Sequence, residues 1–241
     1  MNEIENYYNQ LLTNVSLVTG LVNLLSVIII SFFYKYFNNP IRLFYYYLLA
    51  RLFLEILTKI FIWSTAEHYA IFWKPILDYF QIYDTNFFNG IFYFTNFLFI
   101  GFFYRKIIAN RFITSKLAVI TIGLCIFQIA NYFFIDGFQS YGTIGVTLSD
   151  IFLIILPCIY LYQMSNNPPN INLQKNSYFW ISLALFIPHL LQMVITFTAS
   201  DLHKTNFILF CKTHIFRNII LIFSQLLFLH AFSKAKYLKY I

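Results

Sequence analysis

The chain has 241 residues; 60% are hydrophobic, 22% aromatic and only 10% charged, where a soluble domain carries about 25% charge. That composition excludes an ordinary soluble domain and points to an all-α, polytopic membrane protein whose first partner is the lipid bilayer. The net charge of +7 sits mostly in short connections between apolar runs, so it reads as an orientation signal, and no nucleic acid is expected as a partner.

Seven apolar runs approach the ~20 residues a helix needs to cross the hydrocarbon core. They lie near 12–34, 43–63, 86–104, 117–135, 146–163, 178–197 and 207–232, and predict a single seven-helix transmembrane bundle over 1–241. The first follows Met-Asn-Glu-Ile-Glu, which lacks the basic start of a cleavable signal peptide, so this helix is expected to stay in the mature protein. Asn14-Val-Ser16 matches a glycosylation sequon, but it falls at the membrane edge and carries little weight.

The second run, Leu43–Trp63, holds Arg51, Glu55 and Lys59 four residues apart, which puts all three on one face of a helix. Charges inside a membrane helix are costly and need partners or water, so this stripe is a candidate functional site. Between the second and third runs, Tyr69–Tyr83 mixes Trp73, Phe72 and Phe80 with Lys74 and Asp78. That mixture predicts an aromatic segment at the interface, or an outer extension of the third helix.

The third run contributes Asn96, and the fourth Gln128 and Asn131. The fifth, short for a span, carries Asp150 and Pro157, and Pro168-Pro169 after it stops a helix. In the sixth, His189 follows Pro188; a proline there removes a backbone hydrogen bond and can bend the helix around a cavity. The seventh carries Lys212, His214 and Arg217.

Counting inward at ~1.5 Å per residue puts Glu55, Asn96, His189 and Arg217 near mid-membrane, with Arg51 nearer the cytoplasm. Lys59, Asp150 and Lys212 fall toward the outer ends, with His214 between. The ligand-binding or coupling candidates are therefore Arg51, Glu55, Asn96, His189 and Arg217; Lys59, Asp150, Lys212 and His214 are outer-side polar candidates. Four intramembrane cations stand against two carboxylates. Arg51 and Arg217 cannot shed their charge, so if Glu55 neutralises one, a small anionic ligand, a lipid phosphate or a partner's carboxylate is expected at the other. The bland alternative is that these side chains hold helices together by hydrogen bonding.

With the amino terminus outside, the inner connections and the tail hold ten basic residues and no carboxylate, and the outer ones hold two basic residues and seven carboxylates. The chain is therefore expected to run with its amino terminus outside and its carboxy terminus cytoplasmic, in a bacterial inner membrane. Cys125, Cys158 and Cys211 all fall inside spans and suggest no disulfide framework or metal spacing. No helical His pair, nucleophile elbow, phosphate loop or dinucleotide fingerprint occurs, so no cofactor, metal or catalytic residue is expected. A site from His189, His214, Glu55 and Asp150 on separate helices is the remaining enzymatic arrangement. A retinal photoreceptor is rejected because Lys212 lies too near the start of the last helix and no Asp or Glu occurs between Asp84 and Asp136.

Asn38-Asn39-Pro40 echoes Asn166-Asn167-Pro168, and Phe94-Thr-Asn-Phe-Leu-Phe echoes Phe223-Ser-Gln-Leu-Leu-Phe. Such echoes would fit a three-plus-one-plus-three layout, although Phe- and Leu-rich helices match easily by chance. Phe44-Tyr-Tyr-Tyr-Leu-Leu, Ser177-Tyr-Phe-Trp-Ile and Phe216-Arg-Asn-Ile-Ile together resemble a group of uncharacterised small seven-helix inner-membrane proteins of Bacteroidota. The resemblance implies location and topology and no activity. The seven-helix sugar-transporter family is a looser likeness, and it carries prolines in both halves whereas the first two runs here have none. Two readings follow. The first is a sensor or accessory subunit that binds its ligand in a mid-membrane polar cavity and acts through a membrane or cytoplasmic signalling partner. The second is a small-solute transporter, proton-coupled through Glu55 or His189, since imidazole changes charge near neutral pH.

Overall fold

A computed structural model describes residues 3–65, 70–80, 85–135, 143–166 and 173–240. Among them all regular structure is helical: α1 (Glu3–Ser31), α2 (Asn39–Ser64), α3 (Ala70–Phe80), α4 (Phe87–Ile107), α5 (Arg111–Ala130), α6 (Thr143–Asn166), α7 (Ser177–Thr205) and α8 (Phe207–Ser233). α5 widens into a π-helical turn over Asn131–Ile135. Six helices are long and apolar enough to cross a membrane: α1, α4, α5 with its π turn, α6, α7 and α8. That is the build of a multi-pass membrane protein in contact with lipid.

α2 is as long as the others, 26 residues or about 39 Å. Arg51, Glu55 and Lys59, with Arg42 in its first turns, make it more charged than those six. It starts earlier than the apolar run because Asn38 caps it, with its Oδ1 accepting from the Ile41 N–H. Pro40 then falls in the first turn, where its missing N–H has no helical partner to lose. α1 starts well before 12 and stops at Ser31, with Glu3 and Glu5 in its first turn, where the helix dipole favours carboxylates. α3 is a separate 11-residue helix with Trp73 and Tyr79 exposed. Pro168-Pro169 and the ends of the Tyr69–Tyr83 segment lie outside the described residues.

The chain divides into two compact units, Leu43–Ser149 and a second made of Met1–Arg42 with Asp150–Ile241. In the second, α8 packs on α1 and on α7. Asn218 donates to Ser16 of α1 at 3.0 Å, and Phe37 meets Phe232 at 5.0 Å between ring centroids. Pro188 lacks the N–H that would bond the Ala184 carbonyl one turn back, and the Ser224 hydroxyl of α8 donates to that carbonyl instead. The serine thus satisfies the acceptor that the proline frees.

In the Leu43–Ser149 unit, small residues let α4 and α5 come together. A Cβ built on Gly101 would fall on the Thr121 side chain, and one on Gly90 would clash with the Tyr132 ring. Tyr132 in turn donates its hydroxyl to the Phe87 carbonyl at 2.9 Å. Fully buried Phe44 and Phe103 pack at 5.1 Å.

Candidate functional site

Arg51 points to partners on α4. Its Nη1 donates to Asn96 Oδ1 at 3.1 Å, and its guanidinium lies 5.0 Å from the centre of the Phe92 ring. Asn96 is 3% exposed and acts as a hub. Its Oδ1 also accepts from the Tyr47 hydroxyl at 3.1 Å, and its Nδ2 donates to Ser149 Oγ at 2.8 Å. Tyr47 and Arg51 reach it together because four residues is about one turn, so both project from the same face of α2. Every contact here joins residues of the Leu43–Ser149 unit.

The partners of Arg51 are thus a neutral amide and an aromatic face. Among the described residues of its unit no carboxylate stands within ion-pair distance of it. Glu55, one turn further along, is half-buried, and Lys59 is exposed. The three members of the stripe therefore occupy different surroundings although they share a helix face.

A second polar group occupies the other unit. Asp150 of α6 is buried, and its Oδ1 lies 2.8 Å from Nδ1 of His189 on α7. His189 is 18% exposed, so this is a nearly enclosed carboxylate–imidazole pair. Asp150 Oδ2 has no hydrogen-bond partner among the described residues. Further along α7, Gln192 Oε1 accepts from Arg217 Nη1 of α8 at 3.2 Å. His214, three residues before Arg217, packs on Phe210 at 4.4 Å, and its Nε2 is enclosed without a partner among the described residues. Lys212 is exposed, with Nζ 5.1 Å from the centre of the Tyr8 ring on α1.

Charge spacing along one helix revealed the Arg51 stripe, but nothing in it pointed to Tyr47 or Ser149. Both are partners that only the meeting of α4 with α2 and with Ser149 brings to Asn96. The Asp150–His189 pair is likewise a meeting of two helices. A depth count separates the two residues, while in the structure the side chains close the gap.

Chemically, the Arg51 group offers a fixed cation whose other N–H donors meet no acceptor among the described residues, and the Asp150–His189 pair offers a site where a proton can be held or passed. Among the described residues no three His, Cys, Asp or Glu side chains gather as a metal site would need. No protein-family model matches the chain, and no curated protein and no solved structure is similar to it.

Proposed function

We propose that the protein is a seven-helix plasma-membrane protein, amino terminus outside and carboxy terminus cytoplasmic, with α2 as the additional span. In this reading it binds a small anionic ligand through Arg51 and acts as a sensor or accessory subunit through a partner. The carrying observation is the Arg51 environment: one N–H is used on a neutral amide, one face on Phe92, and no carboxylate among the described residues of its unit is in reach. A guanidinium stays charged under all physiological conditions, and a carboxylate or phosphate would take its remaining donors in the bidentate geometry that suits them. The orientation rests on ten basic residues inside against two outside.

The test is titration of purified protein with inorganic phosphate, acetate and succinate, followed by thermophoresis. Wild type should bind at least one of them and Arg51→Gln none. Equal binding by both proteins would remove Arg51 from the site. Orientation is tested by replacing the three native cysteines and placing single ones at Tyr7 and Tyr237. An impermeant maleimide added to intact spheroplasts should label the first and spare the second.

A second reading, a proton-coupled small-solute transporter with a three-plus-one-plus-three layout, is favoured by the Asp150–His189 pair. Reconstituted into liposomes with an internal pH dye, such a transporter gives solute-dependent proton flux that Asp150→Asn abolishes. A sensor gives no flux in either form.

A further inference from the structure

Within the Leu43–Ser149 unit, α4 and the end of α5 leave a cleft of about 370 Å³. Its walls include Gly90 and Phe94 on one side and Gln128, Ile129, Tyr132 and Phe133 on the other. Three features of the local chemistry shape it. Gly90 gives α4 no side chain at this level, and the Tyr132 ring fills the notch. The π turn over Asn131–Ile135 carries one more residue per turn than an α-helix, a local widening found often at functional sites. Ile129 and Phe133, 50% and 61% exposed, form a lip that faces the surroundings of the helix, which for a membrane-spanning segment is lipid.

The polar content of the cleft is anomalous. Gln128 lines it and is 2% exposed, yet its Oε1 accepts no hydrogen bond from any described residue. An amide oxygen enclosed in a membrane segment has no water to turn to, so a missing donor is costly. The oxygen lies beside Gly145 of α6, where a Cβ would stand 3.0 Å from it. Because the terminal torsion of glutamine is soft, turning the amide away from Gly145 would offer it to the cleft that the side chain lines. Among the described residues no charged side chain lines the cleft, which disfavours an anionic headgroup. Its volume lies at the small end of the ~300–1,000 Å³ typical of ligand pockets, enough for one chain or ring system rather than a whole phospholipid.

We propose that this cleft binds a neutral lipid alcohol from the bilayer, its apolar body against Phe94, Ile129 and Phe133 and its hydroxyl donating to Gln128 Oε1. The walls supply apolar contact without selectivity, and the Gln128 acceptor selects molecules that can donate. This site is independent of Arg51 and of the anion-binding reading.

The probe is hexadecanol carrying a mid-chain diazirine, added to the full-length protein in phosphatidylcholine nanodiscs, with the corresponding methyl ether as the non-donating control. After irradiation, peptide mass spectrometry should find saturable labelling concentrated on 90–94 and 128–133. Unlabelled hexadecanol should compete it away, and the ether should need about tenfold higher concentration, the worth of one hydrogen bond. Gln128→Leu should keep the labelling and lose the preference for the alcohol. Ile129→Trp, made at the half-exposed lip, should fill the cleft and abolish saturable labelling. Non-saturable labelling spread over all lipid-facing helices would overturn the proposal, as would equal labelling by alcohol and ether in the wild type.

Discussion

Asn96→Leu probes the centre of the Arg51 group with a side chain of similar size and no polar atoms. The substitution removes three hydrogen bonds, to Tyr47, Arg51 and Ser149, and leaves a guanidinium and two hydroxyls without this partner. On the scale of soluble proteins the two neutral bonds are worth about 1 kcal/mol each and the charged one about 1.5–3 kcal/mol. Inside membranes the unfolded helices also find partners, and measured bonds average only about 0.6 kcal/mol, so three amount to roughly 2 kcal/mol. The expected loss is therefore about 2–4 kcal/mol, measured by equilibrium unfolding in mixed micelles of increasing SDS fraction. Asn96→Asp separates bonding from charge. Its carboxylate can accept from both Tyr47 and Arg51 while Ser149 reverses and donates, so this variant should keep most of the stability. Because Arg51 then gains an internal anion, Asn96→Asp should also weaken binding of added anions. The reasoning is refuted if Asn96→Leu unfolds within about 0.5 kcal/mol of wild type, or if Asn96→Asp costs as much as Asn96→Leu.

Gly101→Ala forces a methyl group onto Thr121 and should cost about 1–3 kcal/mol. Gly123→Ala, with nothing within 4 Å of the added carbon, should be neutral or gain up to about 1 kcal/mol from helix propensity; both read out in the same unfolding assay. Ser224→Ala should cost about 1 kcal/mol in wild type and much less in a Pro188→Ala background, where the helix regains its own donor for the Ala184 carbonyl. A double-mutant cycle reads that difference directly. Lys59→Gln should leave stability within about 0.5 kcal/mol, as expected for an exposed side chain. A larger loss would mean that Lys59 belongs with Arg51 and not with the surface.

Hydropathy marks the starts of the last two helices and the end of α8, but stops eight residues short of the end of α7. The runs near 178–197 and 207–232 become Ser177–Thr205 and Phe207–Ser233, since a window of Leu, Ile and Phe bounded by polar residues is what such a helix requires. It does less well for α1, because the polar residues between Glu3 and Gln10 continue a helix without adding to an apolar run. It does not register α3 as a span, because eleven residues are too few; the mixed aromatic and charged composition of Tyr69–Tyr83 marks that segment instead, leaving open whether it is separate or extends the next helix. For polar side chains, one-dimensional spacing works within a helix and fails between helices. Arg51, Glu55 and Lys59 stand out at i, i+4 and i+8, whereas Asn96 looks like any isolated membrane asparagine until Tyr47, Arg51 and Ser149 converge on it. A depth count separates His189 and Asp150 by backbone position. Their side chains nevertheless meet at 2.8 Å, a contact that counting rise per residue along each helix does not include.

The exchange of acceptors at Pro188 has an evolutionary consequence. The serine at 224 is useful only while a proline at 188 leaves the Ala184 carbonyl without its own donor. Among descendants of this sequence, loss of the proline would release position 224 to drift toward alanine or leucine, while loss of the serine would favour replacement of the proline. Two positions 36 residues apart, on different helices, should therefore change in concert as lineages diverge, and their joint history would register the contact between α7 and α8.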